Sequence, residues 1–341
     1  MDCEVFVDRR PPESAEWIPA GLREPPTRWL RGRLDEVIPA LPAFDRGPFA
    51  MAPENEGPWH PNELFDLIST REANDASWAR RPVAVVSKSY RLIGHQQAAG
   101  MLVDSLAEFG LEPESLDTHA TLDRYGARLA LEITLGPNWM VNPSDGHPVV
   151  LQLWCLNSVD ASAMLRICFT WYRLVCTNGL VVGFSKNIGR VLHRESRLTV
   201  DIGDEIARGL ALAREDRLSM GRWLEREIVP ERLVPFTDGL LKTLWGARDA
   251  ARFLHIARTG FDAEFEDRFQ PGEPSEKRMT PTFAVPGSPA VAHTEWDLAQ
   301  ALSWVARDRR APADHLDRLL QIPALMARLT QQPTKDNSWN S

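Results

Sequence analysis

Apolar positions in the centre of the chain recur at two intervals, one typical of strands and the other of helices. Val83–Ile93 is rich in β-branched and aromatic residues, which predicts a strand. Within His95–Phe109, apolar residues such as Leu102 and Leu106 recur at three- and four-residue steps, which predicts a helix that Gly110 is suited to end. The central region therefore begins as a strand followed by a helix.

Two hairpins follow this helix. The first lies between Leu122 and Leu135, where RYGAR has the composition of a turn and the residues after it alternate between apolar and polar. The second joins Val149–Asn157 to Met164–Cys176 through the polar turn SVDASA. One face of its second strand is apolar and is expected to meet the core. We expect the other face to meet solvent or a ligand, and it carries Arg166, Cys168, Thr170 and Tyr172.

The pattern becomes helical after residue 200. Asp201 is suited to cap a helix, because its side chain can accept a hydrogen bond from a free backbone N–H of the first turn. A proline-rich stretch at 271–289 predicts a loop. The predicted helices are Asp201 to Leu224, Asp238 to Arg258, Glu295 to Arg307 and Ala313 to Leu329.

The first 82 residues carry twelve prolines. Each proline removes a backbone donor and restricts the residue before it, so we expect short elements wrapped on a later core, with one helix over Pro61–Ser69. The fold class is α+β: a mostly antiparallel sheet with one packed helix, followed by a helical C-terminal half. The predicted regions are an N-terminal extension (1–82), an α+β core (83–200), a helical region (201–270), a Pro-rich loop (271–293), C-terminal helices (294–330) and a tail (331–341).

Composition bounds the class of protein. The hydrophobic fraction is 43% and the charged fraction 25%, as in ordinary globular proteins. The N-terminus MDCEVFVDRRPP has acidic residues where a signal peptide has a basic start, and no apolar run is long enough to cross a membrane. We therefore expect a cytoplasmic protein without a membrane partner.

No assembled catalytic or metal-binding motif is present. The sequence has no GxxxxGK[ST] or GxGxxG loop and no CxxC pair, so neither a cofactor nor a metal is predicted. Cys176 and His193 are the best candidates for a nucleophile and base, but no catalytic signature surrounds them. The cysteines are expected to be packing residues, since three of them lie in apolar runs: Cys155, Cys168 and Cys176. The sequence favours a protein that is not an enzyme.

Four segments resemble a known family, the phage/plasmid-like proteins grouped as domain of unknown function 932. They read SYRLIGHQQAAGMLVDSL, LNSVDASAMLRICFTWYRLVCTNGL, RVLHRE and HTEWDLAQALSWVARD. In the family's hairpin turn a histidine and a glycine stand where this chain has Val159 and Ala161. The resemblance spans roughly residues 83–330 and implies a mobile-element or defence setting, without implying an activity. The positions that match are Asn157, Ser158, Asp160, Arg173, Cys176, Asn178, His193 and Trp296.

One segment has a charge opposite to that of the whole chain. The chain carries a net charge of −8, whereas residues 151–200 have an excess of arginine and lysine over acidic residues. Basic groups beside aromatic rings can follow a phosphate backbone while a ring stacks on a base. The alternative is that these arginines pair with the acidic helix that follows, through Asp204, Glu205 and Glu215. The candidate nucleic-acid-binding residues are Arg166, Tyr172, Lys186, Arg190, Arg194 and Arg197.

The function that these observations favour is that of a non-enzymatic, nucleic-acid-associated protein of a phage, plasmid or defence context, with single-stranded nucleic acid as the preferred partner. The alternative is a protein-interaction or structural subunit of a phage-defence or plasmid complex that does not contact nucleic acid. A protein partner or a homo-oligomer is compatible with either.

Overall fold

The structure is a computed structural model in which the chain forms two compact units. The residues that it describes are 4–7, 27–51, 60–71, 80–123, 125–143, 146–173, 180–182, 187–191, 202–265, 279–307 and 312–330. Unit 1 comprises residues 1–139, 151–169 and 186–212, and unit 2 comprises residues 140–150, 170–185 and 213–341.

Most strands belong to one antiparallel sheet. In chain order, the strands are β1 (Glu4–Val7), β2 (Arg28–Arg33), β3 (Phe44–Met51), β4 (His60–Thr70), β5 (Pro82–Ser87), β6 (Asp117–Asp123), β7 (Arg128–Thr134), β8 (Met140–Val141), β9 (Val149–Ser158), β10 (Leu165–Arg173), β11 (Leu180–Val182), β12 (Asn187–Val191), β13 (Phe261–Phe265) and β14 (Met279–Ala284). The large sheet has the order β1-β2-β6-β7-β9-β10-β11, with β12 also paired to β10 and β8 to β9.

The helices are concentrated after residue 200. They are α1 (Leu34–Ala40), α2 (His95–Ala107), α3 (Ile202–Glu225), α4 (Leu233–Phe236), α5 (Lys242–Trp245), α6 (Ala247–Thr259), α7 (Glu295–Arg307), α8 (Pro312–Leu319) and α9 (Ile322–Thr330), with a π-helical turn at Thr237–Leu241. The predicted α+β class is confirmed, because the sheets are antiparallel and helices dominate the C-terminal half.

One face of the unit 1 sheet is a continuous apolar surface. Leu30, Ala120, Leu131 and Cys155 stand opposite one another on β2, β6, β7 and β9, and all four are buried. Helix α1 packs on β2 and β6 and also contacts α2. The hairpins predicted around Leu122 and Val149 are confirmed in this core.

A separate three-stranded sheet, β3-β4-β5, corrects one prediction for the N-terminal region. Residues 61–69 were expected to form a helix, but they lie in β4, which pairs with strands on both sides. The apolar spacing was misleading because only Ile68 is buried, whereas Leu64 is 69% exposed. Arg46 links this sheet to the chain beyond β5: it pairs with Asp66 at 2.7 Å and donates to the Tyr90 carbonyl oxygen at 2.7 Å.

Strand β10 corrects a second prediction. The face carrying Cys168 and Thr170 was expected to meet solvent or a ligand, but both side chains are completely buried. Strand β10 pairs on both sides, and its opposite face is buried as well. Strands covered on both faces do not need strict alternation, so a half-polar face did not indicate exposure here.

Unit 2 contains a second core, built on α6 and α7. The predicted helix Glu295 to Arg307 is confirmed, whereas the one predicted over 238–258 is divided at Gly246, which has a φ of +91°. The C-terminal pattern forms two helices, α8 and α9. The predicted loop is also corrected, because its residues 279–284 form β14, which pairs with β13.

A buried ion pair lies inside unit 2. The guanidinium of Arg252 donates to both carboxylate oxygens of Asp262, at 3.0 and 2.7 Å. The same carboxylate accepts from the indole N–H of Trp304 at 2.7 Å and from the backbone N–H of Ala263 at 2.7 Å. These donors lower the pKa of Asp262 even though burial opposes them. Both oxygens of the Asp262 carboxylate are therefore engaged in structural hydrogen bonds.

Unit 2 is expected to lose stability in mild acid because of His315 on α8. Burial, helped by the charge of Arg307, lowers the pKa of His315 to about 4. Its stabilising effect is complete above the unfolded pKa of about 6.5 and disappears as the pH falls towards the folded value, a loss of about 3 kcal/mol. Urea unfolding from pH 7 to 4 measures this, and His315→Gln should flatten the profile. An equal slope in both proteins would contradict the assignment.

Among the described residues, none of the helices is both long enough and apolar enough to cross a membrane.

Candidate nucleic-acid interface

Two hairpin turns lie side by side at one end of the unit 1 sheet. The first connects β6 to β7 and includes Tyr125, Gly126 and Ala127, and the second connects β9 to β10. The backbone N–H of Val159 donates to the Ala127 carbonyl oxygen at 2.9 Å, which joins the two turns. Val159 and Ala127 are both buried in one small apolar cluster. Val159, which occupies the position of the family's histidine, is therefore a packing residue in this chain.

Each turn contains a residue with left-handed backbone geometry. Tyr125 and Ala161 both have a φ of 59°, and they are the non-glycine residues with positive φ in the described part of the chain. A residue with a Cβ atom is strained in this region, and such strain is often found at functional sites. The two strained positions thus lie in adjacent turns of the same sheet end.

The strain at Ala161 gives a direct stability test. We expect Ala161→Gly, which restores the family's residue, to raise the free energy of unfolding by about 0.5–1 kcal/mol, because relief of the left-handed strain exceeds the entropy gained by the unfolded chain. Ala163→Gly in the same turn has no such strain to relieve and should lower stability. Urea unfolding of the two variants distinguishes them, and equal effects would contradict a strained Ala161.

A buried histidine supports the first turn from inside the sheet. Nε2 of His95 lies 2.8 Å from the Gly126 carbonyl oxygen, and Nδ1 lies 3.0 Å from the side-chain amide of Asn157. Since the carbonyl can only accept, Nε2 carries the proton and Nδ1 accepts from the amide. The same amide donates to the Ile93 carbonyl oxygen at 2.9 Å. Two segments that carry the family resemblance therefore meet here and fix the turn.

Two arginines and an aromatic ring form the outer surface of this end. The guanidinium carbon of Arg81 lies 5.1 Å from the centre of the Tyr125 ring, which is 41% exposed. Arg28, at the start of β2, is half-buried. Burial lowers the pKa of Arg28, and the nearby positive charge of Arg81 lowers it further. We name Arg28, Arg81 and Tyr125 the hairpin-tip face.

The second turn brings further basic residues to the same end of the sheet. Arg128 begins β7, donates to the hydroxyl of Ser162 at 2.8 Å and lies 3.5 Å from the carboxylate of Asp160. Arg166 follows the turn on β10 and stands directly opposite Arg190 of β12. The two arginines therefore occupy paired backbone positions of the sheet.

The structure describes only part of the predicted nucleic-acid site. It places Arg166 and Arg190 opposite each other on paired strands. Arg166 is only 9% exposed, and only the backbone of Arg190 is described. Tyr172 is half-buried and packs against the apolar core of unit 2. Lys186, Arg194 and Arg197 lie outside the described residues, as do Cys176 and His193.

The alternative, in which the arginines pair with the acidic start of α3, can be compared with the structure at Glu205. Glu205 lies 2.9 Å from Arg208, one turn further along the same helix. This carboxylate is already engaged locally, as expected for an acidic residue in a first helical turn.

The described cysteines are packing residues. Cys155 and Cys168 have no exposed surface, and burial raises the pKa of Cys155 to about 12. A thiol held protonated in this way is a poor nucleophile and a poor metal ligand. Over the described ranges, no group of three or more histidine, cysteine or acidic side chains could hold a metal ion.

Sequence reasoning missed the hairpin-tip face. Arg28 and Arg81 belong to a region that was predicted to be an extension, and Tyr125 was assigned only to a turn. The pairing of β2 with β6 places Arg28 opposite Leu122, close to that turn. A tyrosine immediately before a glycine in a predicted hairpin was the one available signal.

Two other positions that carry the family resemblance meet inside unit 2. The buried guanidinium of Arg173 lies 5.9 Å from the ring centre of Trp296 on α7. It also donates to the Gly287 carbonyl oxygen at 3.4 Å, and a Cβ atom at Gly287 would lie 3.1 Å from the guanidinium. Gly287 has a φ of +72°, so both geometry and space favour glycine there. Each unit therefore contains one cluster of residues that carry the family resemblance.

Comparison with known proteins identifies one family. No curated protein and no solved structure matches the chain. The family model described as a domain of unknown function (DUF932) matches residues 82–337, which is most of the chain and includes the resembling segments. The protein therefore belongs to the DUF932 family.

Proposed function

We propose that the protein is a non-enzymatic, nucleic-acid-associated protein that binds single strands through the hairpin-tip face. The observation that carries the proposal is the placement of Arg81 against the exposed ring of Tyr125, with Arg28 close enough to be affected by its charge. Arginine forks bind phosphate oxygens at two points, and an exposed ring can stack on a base. Arg166 and Arg190 would extend the phosphate contacts along β10 and β12.

The ring favours a single strand over a duplex. Bases in a duplex are stacked on each other, so that a tyrosine at the tip of a turn has no free base surface to cover. A net charge of −8 also opposes uniform coating by nucleic acid and favours a local contact. The proposal includes a cytoplasmic location and the phage, plasmid or defence context that the resemblance implies.

Fluorescence anisotropy with labelled oligonucleotides tests this function. At about 50 mM salt, we expect the full chain to bind single-stranded DNA or RNA more tightly than the matching duplex, with an affinity that falls steeply as salt is added. Tighter binding to the duplex would contradict the single-strand assignment. A folded protein that binds none of these nucleic acids would overturn the proposal.

Tyr125→Asn separates binding from folding. Asparagine tolerates left-handed geometry, so relief of strain offsets the lost contact with Arg81, and we expect the free energy of unfolding to stay within about 1 kcal/mol of wild type. Loss of base stacking should weaken single-strand binding by about 1–3 kcal/mol, measured by anisotropy. Tyr125→Phe keeps the ring and should retain affinity. Equal loss in both variants would exclude stacking.

The second candidate function, a protein-interaction subunit, is favoured by the three-stranded sheet. Phe65 and Val85 are 41% and 50% exposed, and the register of β4 with β5 places them on the same face. Exposed apolar residues on a sheet are a common feature of protein contacts. Failure of nucleic-acid binding would favour this alternative, which predicts that Phe65→Ser disrupts association with a protein partner while stability is retained.

A further inference from the structure

A cleft in unit 2 contains a buried acidic group that the proposed function does not use. It has a volume of about 260 Å³ and lies between the segment 226–229, the start of α7 and the end of α9. The backbone N–H of Glu295 donates to the Arg226 carbonyl oxygen at 2.9 Å, and that of Ile228 donates to the His293 carbonyl oxygen at 3.0 Å. These backbone bonds hold two of the walls together.

The acidic group is the carboxylate of Glu295, at the first position of α7. The residue is only 6% exposed, and its Oε2 atom has no hydrogen-bond partner among the described residues. Nη1 of Arg226 lies 3.9 Å from this oxygen, which is beyond hydrogen-bonding range. Burial raises the pKa of Glu295, and the charge of Arg226 opposes that rise. A buried carboxylate that lacks a donor is costly unless a ligand supplies one.

The remaining walls carry Arg226, Arg232 and the exposed Glu227 and are otherwise largely apolar. Arg226 is exposed and places its positive charge beside the carboxylate. Arg232 is half-buried and donates to the Thr330 carbonyl oxygen at 3.2 Å, on the opposite side. The apolar lining consists of Ile228, Val229, Leu233, Leu298 and Leu329. One buried negative group, a neighbouring positive group and an apolar surface thus converge on one small volume.

We propose that this cleft binds a free α-amino acid with an apolar side chain. The ammonium group would donate to Glu295, the carboxylate would pair with Arg226, and the side chain would cover the apolar lining. An α-amino acid carries its ammonium and carboxylate groups on the same carbon atom, which suits an acidic and a basic side chain that lie side by side. The site is independent of the hairpin-tip face, which belongs to unit 1.

Leucine and two of its analogues test the assignment on the full chain. Leucinamide lacks the carboxylate and 4-methylpentanoate lacks the ammonium group, so we expect leucine to raise the melting temperature more than either analogue at equal concentration. Isothermal titration calorimetry should give the same order of affinity. Binding of 4-methylpentanoate as tight as that of leucine would overturn the role of Glu295. Absence of any shift or heat with leucine, isoleucine, valine, methionine and phenylalanine would overturn the site.

Two matched variants locate the contact. Glu295→Gln keeps the shape but removes the charge, and we expect leucine affinity to fall about tenfold or more. Glu231→Gln removes an exposed carboxylate that does not line the cleft and should leave affinity within about twofold of wild type. The opposite order of effects would contradict the proposal. If Glu295→Gln does not fold, Arg226→Gln serves instead, and it should bring leucine affinity down to that of leucinamide.

Discussion

A protein carrying Arg28→Gln and Arg81→Glu is expected to lose most of its single-strand binding. Arg81 is exposed, and its positive charge contributes to the lowered pKa of Arg28. The double change therefore removes two positive groups from one surface. Each lost phosphate contact on a single strand lowers the magnitude of the log–log salt slope by about 0.7. We therefore expect the slope to fall by about 1.4 and the affinity at about 0.1 M salt to fall at least tenfold.

The control for this variant changes charge elsewhere. Arg222 on α3 and Arg328 on α9 are exposed and belong to unit 2. Arg222→Gln with Arg328→Glu alters the net charge by the same amount, so any general effect of charge on binding appears in both proteins. Both should keep melting temperatures within a few degrees of wild type. Equal loss of binding in the two variants would mean that net charge, and not the hairpin-tip face, determines affinity.

Asp262→Asn is expected to produce the largest loss of stability. The change leaves the buried guanidinium of Arg252 without its carboxylate and removes the charge that accepts from Trp304. Removing one partner of a buried ion pair typically costs 3–5 kcal/mol, so we expect a loss of about 3–5 kcal/mol in the free energy of unfolding. Urea unfolding at pH 7 measures it.

The double variant Arg252→Met with Asp262→Leu shows whether the lost stability comes from the missing ion pair or from the buried Arg252 charge left without its carboxylate. Because it removes both charges, it should be more stable than Asp262→Asn. A loss below about 1 kcal/mol for Asp262→Asn would show that the pair is not buried in solution.

In the wild type, the lowered pKa of Asp262 means that its stabilising effect is complete above the unfolded pKa and is lost as the pH falls through the folded pKa.

The fold was predictable where local pattern and tertiary environment agree. Helices α2 and α7 begin and end close to the expected residues because capping or terminating residues flank an apolar stripe with helical spacing. The β6–β7 hairpin was predictable from strict alternation around a glycine turn. These elements carry their own start and stop signals.

Other features depend on pairing between segments that are distant in sequence. Strand β4 has an apolar spacing that also fits a helix, and only its partners β3 and β5 decide between the two. The loop prediction failed at β14 for the same reason, since β13 supplies the pairing. The hairpin-tip face arises from the alignment of β2 with β6, which no local pattern in the sequence reveals.

Photo-crosslinking tests the central claim most directly, because it reports where a strand lies on the protein. A single-stranded oligonucleotide with a photoreactive base would be bound to the wild-type chain, irradiated and mapped by mass spectrometry of the peptides. The account predicts crosslinks at Tyr125 and in peptides that contain Arg28 or Arg81. Crosslinks confined to unit 2, or unchanged crosslinking of Tyr125→Asn at the same turn, would contradict it.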